Sequence, residues 1–204
     1  MVLANDLARD LLNIKAVQIN PDQYFTWTSG IKSPIYCDNR LTMSHPSIRK
    51  KIMNAFMELL EKQEEKPDVI AGCATAGIPH AAWLADALNL PMVYVRSKPK
   101  GHGKGNQIEG EVNQGQRVLV IEDLISTGGS SIDAAKVLKD EGMDVTGVFA
   151  IFTYGLQKSV KAFSEENLDL KTITNFDQLV DVLTADGELT VEDKDQLLAW
   201  RNDL

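Results

Sequence analysis

The sequence predicts an α/β fold: a mostly parallel sheet flanked by helices, with a small hood from the N- and C-terminal segments. Three observations carry this reading. From Pro67 onward, short apolar runs alternate with helical patterns, and such alternation wraps a parallel sheet on both sides. The run Val118–Ile121 is uninterrupted and rich in β-branched residues, as in a strand buried on both faces. The chain's 204 residues, 44% hydrophobic and 25% charged, suit one domain of this class. The core is expected at about 46–171 and the hood at about 1–45 plus 172–204.

Residues 2–17 read as an amphipathic helix with Leu7, Leu11 and Ile14 on one stripe. Ala16 to Asn20 is a candidate short strand that Pro21 ends. Tyr24 to Asp38 reads as two short strands around the Ser29-Gly30 turn; taken alone, this is a simple hairpin over a core edge. A helix is expected from Pro46 to about Glu65, with Ile48, Ile52, Phe56, Leu59 and Leu60 inward. Asp68–Gly72 is a short buried strand, Cys73–Gly77 a loop of small residues, Ile78–Leu88 a helix and Pro91–Val95 a second strand. After a long polar loop come the central strand, a helix over Ser131–Glu141, a strand at Val145–Phe152 and a helix near Gln157–Glu165. Beyond Lys171, a short strand and two helices, Phe176–Leu183 and Val191–Trp200, are expected to pack with the N-terminal segment.

The net charge of −8 argues against a general nucleic-acid or membrane-surface binder. Cys37 and Cys73 form neither a disulfide framework nor a metal-ligand pattern, which fits a reducing, cytoplasmic setting; Cys73 reads as a small packing residue. No apolar run approaches the ~20 residues of a membrane span, and the N-terminus lacks the pattern of a secretory leader.

In parallel sheets, ligands bind at the carboxyl ends of the strands. There the central strand carries Glu122 and Asp123, then Leu124 and Ile125, then the small-residue turn Ser126-Thr127-Gly128-Gly129-Ser130-Ser131 opening a helix. Such a turn aims backbone N–H groups and hydroxyls at a phosphate, with the helix dipole behind it. The GxxxxGK[ST] spacing of a nucleoside-triphosphate loop is missing. Two carboxylates beside the turn would repel a bare polyphosphate. They suit a ribose 5-phosphate, whose hydroxyls donate to Glu122 and Asp123 while its phosphate sits in Ser126–Ser130. The plain alternative is a buried strand turning into a helix with an acidic lead-in. Asp123 is expected to face solvent when the site is empty.

The second signal is the stretch 96–110. Arg96, Lys98, Lys100, His102 and Lys104 fall within nine residues of an acidic chain, and Gly101, Gly103 and Gly105 alternate with them at the tip. A charge run of this kind is commonly a solvated surface loop. Concentrated cations on a glycine hinge also suit a lid that closes over a polyphosphate.

The strand, its two acids and the Thr-Gly turn resemble the signature of the type I phosphoribosyltransferases. The loop with Arg96, Lys100 and His102, together with Ser29-Gly30-Ile31-Lys32-Ser33-Pro34, resembles the orotate phosphoribosyltransferases over most of the chain. The resemblance implies transfer of ribose 5-phosphate from phosphoribosyl pyrophosphate (PRPP) to orotate in UMP synthesis. Lys100, His102 and Asp123 are then catalytic. Arg96, Lys100, His102, Lys104 and Glu122 through Ser130 hold PRPP. Ser126 also lies near the base; for the orotate carboxylate, Lys32 or backbone N–H groups near Thr28–Lys32 are the candidates in this chain, with Tyr36 against the ring. Mg²⁺ is held mainly by the substrate, and a homodimer shares loop 96–110 between subunits. The chain departs from many relatives at Ala76 and from some at Thr28 and Ser97, where they carry lysine, and at Tyr154, where some carry the arginine that grips the orotate carboxylate. A purine or uracil phosphoribosyltransferase and a PRPP-sensing regulator are the rival readings.

Overall fold

The structure, a computed structural model, describes residues 2–26, 30, 32–99 and 107–204. The chain opens with α1 (Val2–Asn13), β1 (Val17–Ile19), β2 (Phe25–Thr26), β3 (Lys32–Ser33), β4 (Ile35–Cys37) and a 3-10 turn over Asn39–Ser44. There follow α2 (Pro46–Glu61), β5 (Val69–Cys73), α3 (Gly77–Leu88), β6 (Met92–Val95), β7 (Ile108–Glu109), β8 (Arg117–Ile125), α4 (Gly129–Asp140) and β9 (Asp144–Thr153). The chain closes with α5 (Gln157–Glu165), β10 (Leu170–Asn175), α6 (Phe176–Ala185) and α7 (Val191–Asn202).

Six strands form the main sheet in the order β10-β9-β8-β5-β6-β7, as the α/β prediction requires. All neighbours are parallel except β6 and β7. Alternation along β8 fills both faces. Leu119 and Ile121 join a cluster with α1, α2, α3 and α6, where the Phe56 and Phe149 rings stack 6.3 Å apart. Val118 and Val120 join the opposite cluster with Ile132, Ala135 and Leu138 of α4 and Phe163 of α5. Leu7 and Leu11 of α1 are fully buried against the first cluster, so the terminal segments share the main core. β10 belongs to the sheet and straddles the expected boundary at 171/172.

Several elements differ from expectation. α2 stops at Glu61, short of Glu65, because the Lys66 ammonium turns back and donates to the carbonyls of Leu60, Glu61 and Gln63, closing the helix end. The central strand does not end before the carboxylates: pairing with β9 continues to Ile125↔Thr153, so Glu122 to Ile125 are strand residues. β7 and the 3-10 turn were not expected; each is too short to leave a periodic signature.

Gly77 opens α3 directly against the backbone of β8, and a side-chain carbon there would collide with the Ile121 carbonyl oxygen. That close approach packs the loop 74–76 beside Glu122. Gly77→Ala is expected to lower unfolding free energy by about 1–3 kcal/mol, read as a fall in the thermal or urea midpoint; an unchanged midpoint would refute the close contact.

Candidate active site

The ends of β5, β6, β8 and β9 meet along one edge of the sheet. The alternation that separates Val118 and Val120 from Leu119 and Ile121 puts Glu122 in register with the α4 side and Asp123 with the opposite side. Glu122 is buried at 7% exposure, beside the Cys73 thiol at the end of β5. Its Oε1 accepts the Asp123 backbone N–H at 3.0 Å. Burial first, and the neighbouring Asp123 second, push the Glu122 carboxyl up to about 9. Burial also raises the Asp123 carboxyl. Both carboxyls are thus pushed above the ordinary carboxylate range, so the pair favours holding a proton. Asp123 does not simply face solvent, as the sequence suggested; it is half-buried, because the hood covers its side of the strand.

Next to the pair lies a pocket of about 280 Å³ lined by Glu122 and by Leu124 through Ser131, with Asp133 at its rim. Gly128 holds the turn in the left-handed region, φ +85°, and a side chain there would strike the Phe163 ring. No side chain caps α4, so its first-turn N–H groups stay open to an anion. Ser131 donates to the Gly128 carbonyl, Thr153 Oγ1 and the Tyr154 N–H both donate to the Ile125 carbonyl, and the turn is thereby fastened to β9. Ser126 is half-buried; Thr127, Gly129 and Ser130 are exposed.

Arg96 follows β6 at the root of the basic loop. The Arg96 N–H donates to the Gln107 carbonyl, and Gln107 Nε2 returns a bond to the Arg96 carbonyl at 3.0 Å. Its guanidinium lies 3.4 Å from Glu109 and lines a second, smaller pocket of about 100 Å³ with Cys73, Ser97, Ser130 and Asp133. Lys100, His102 and Lys104 lie outside the described residues, as does Thr28.

On the hood side, Tyr36 is 39% exposed with its ring 5.9 Å from Phe25, and Lys32 is exposed on the β2–β3 hairpin. Tyr154 is buried at 3% and packs edge-on against Phe152. Burial, and then the field of Cys37 and Asp123, raise its phenol well above the usual range. The structure thus brings Arg96 and the whole of Glu122–Ser130 to one edge, with Tyr36 at its margin.

Sequence reasoning missed Asn39, Glu109 and Asp133. Asn39 is fully buried and its Nδ2 donates to the Asp123 carbonyl at 2.7 Å. In the sequence it looks like an ordinary turn residue, since nothing local marks it as buried. Asp133 had a readable signal, one helical turn beyond Gly129 on the face that carries Ser130.

The match to known proteins agrees with this geometry. Residues 43–182 match the family model for the phosphoribosyl transferase domain. An orotate phosphoribosyltransferase of Oceanobacillus iheyensis is 64% identical over 97% of this chain and 98% of its own. One from Listeria innocua is 54% identical over 98% and 96%. Among solved structures, the orotate phosphoribosyltransferase of Aeropyrum pernix superposes with a TM-score of 0.77 at 28% identity, covering 90% of this chain and 99% of that one. With the strand-end carboxylates and the glycine turn where that family's signature requires them, the chain belongs to the phosphoribosyl transferase family, among the orotate phosphoribosyltransferases.

Proposed function

We propose that this chain moves ribose 5-phosphate from PRPP to N1 of orotate, giving orotidine 5′-monophosphate and pyrophosphate on the route to UMP. The observation that carries the reading is Glu122 in one pocket with the open turn at Gly128, a hydroxyl acceptor beside phosphate donors, with Asp123 next along β8. The names of the relatives point the same way.

In the reaction the bond from C1′ to pyrophosphate oxygen breaks, the bond from C1′ to N1 forms, and the N1 proton is lost, balancing the proton that pyrophosphate takes up. Positive charge gathers on C1′ between the two events, and negative charge on the leaving group. Asp123, backed by Glu122, accepts the ribose hydroxyls and sits near the positive centre. The turn Ser126–Ser130 holds the 5′-phosphate, and Ser126 also reaches the base. Arg96 joins Lys100, His102 and Lys104 on the pyrophosphate, with His102 able to deliver a proton late in departure. Closure of loop 96–110 keeps water from C1′.

Hard carboxylate oxygens suit Mg²⁺. Among the described residues no group of three His, Cys, Asp or Glu gathers to hold a metal. As the resemblance implies, the ion would rest mainly on pyrophosphate and ribose oxygens with few or no direct protein ligands, and it would supply positive charge to the departing pyrophosphate. For the orotate carboxylate, either Lys32 or backbone N–H groups near 28–32 take the place of the arginine, where this chain has Tyr154, with Tyr36 against the ring. None of the described helices is long and apolar enough to cross a membrane; a cytoplasmic enzyme is part of the proposal.

The test follows orotate absorbance after mixing with PRPP and Mg²⁺. Wild type consumes orotate. Asp123→Asn is expected to lose at least about a hundredfold in turnover while its stability stays within about 1 kcal/mol, because the amide removes a charge that burial already disfavours. Wild-type turnover in the variant, or an unfolded variant, would contradict the ribose clamp.

The proposed assembly is a two-fold homodimer in which each basic loop completes the partner's site. A segment of ~15 residues with glycine hinges spans such a seam. Lys100→Ala and Asp123→Asn are each expected to be inactive. Re-annealed at equal amounts, they should recover roughly a quarter of wild-type activity, since half the dimers are mixed and each of these has one intact site. A mixture that stays inactive would place each loop over its own site.

A further inference from the structure

We infer that Asn39 is a positioning residue for the ribose clamp, fixing the direction of the Asp123 carboxylate from the hood; this rests on the ribose-clamp reading above. β5 pairs with β8 only as far as Gly72↔Ile121, so β8 runs on past its neighbour before it reaches Asp123. At that point the Asn39 amide takes the Asp123 carbonyl, at 2.7 Å and from a fully buried position. Asn39 is itself held: Thr42 Oγ1 donates to its carbonyl at 2.6 Å, and its backbone N–H points at the Cys37 sulfur. Cys37 ends β4, the strand that carries Tyr36. A short rigid link therefore runs from the wall that offers Tyr36 to the peptide that aims the Asp123 side chain.

The second observation concerns the other half of the amide. Asn39 Oδ1 is buried and, among the described residues, has no hydrogen-bond partner. A half-satisfied buried amide is a poor choice for stability alone. Its use lies in the donor it presents to Asp123. With the carbonyl held, the peptide plane after Asp123 is held with it, so the backbone from which the carboxylate projects keeps its place beside the site.

Two ligands separate this role from a merely structural one. Inorganic phosphate uses only the turn 126–130, whereas ribose 5-phosphate uses the turn and the clamp. Calorimetric titration of wild type should show ribose 5-phosphate binding more tightly than phosphate. In Asn39→Ala the phosphate affinity should hold within about twofold while that of ribose 5-phosphate falls about tenfold. Thr42→Val, which removes only the hydroxyl bracing Asn39, is the milder variant and should shift the same ratio by a smaller factor. If both affinities fall by the same factor in these variants, or neither moves, Asn39 is structural only and the inference is overturned. If wild type itself fails to prefer ribose 5-phosphate, the clamp reading falls and takes this inference with it.

Discussion

Two carboxyl groups on consecutive residues, both taken out of water at the end of the central strand, set the terms for the rest of this molecule. Desolvation disfavours their charged forms, and their adjacency makes double ionisation worse, so the Glu122 carboxyl is held up to about 9. The cost has a definite pH dependence. Glu122 is raised in the folded chain above its ordinary 4.5, so the ligand-free fold is favoured below that value and loses stability as pH climbs towards about 9. The fold carries this cost because β8 is paired on both edges and buried on both faces along its preceding run, Val118 to Ile121. Function requires it as well: a carboxylate meets a hydroxyl and a developing cation more strongly where water is scarce.

Everything around the pair serves to present it. Gly77 lets α3 approach the strand backbone, Gly128 turns the chain away from the Phe163 ring, and the Ile125 carbonyl gathers Thr153 and Tyr154 so that the phosphate turn is braced by β9. Asp123 is closed off by the hood through Asn39, and Glu122 by Cys73 from β5. The two lie on opposite sides of one strand, Glu122 towards α4 and Asp123 towards the hood.

The sheet and its helices were legible in the sequence because their cause is local: an uninterrupted run such as Val118–Ile121 needs two covered faces, and alternation supplied the helices to cover them. The chemistry was legible for the same reason, since acids and small residues in Glu122–Ser131 are contiguous. What could not be read was contact between distant segments. Asn39 and Asp123 lie far apart in the chain, and only the fold brings the amide under the strand. The burial of Asp123 was misjudged on the same account, since its cover comes from the hood rather than from its neighbours. The length of α2 was misjudged because a helical pattern cannot show that Lys66 folds back on the helix end.

Desolvation of the adjacent carboxyls at the end of β8 keeps a proton on the pair above the ordinary carboxylate range. Carbon-detected NMR of the side-chain carboxyls in the ligand-free protein follows that proton directly. The account predicts that Glu122 titrates near 9, far above its ordinary 4.5. Midpoints for both Glu122 and Asp123 in the ordinary carboxylate range would show both acids charged at neutral pH and would contradict it.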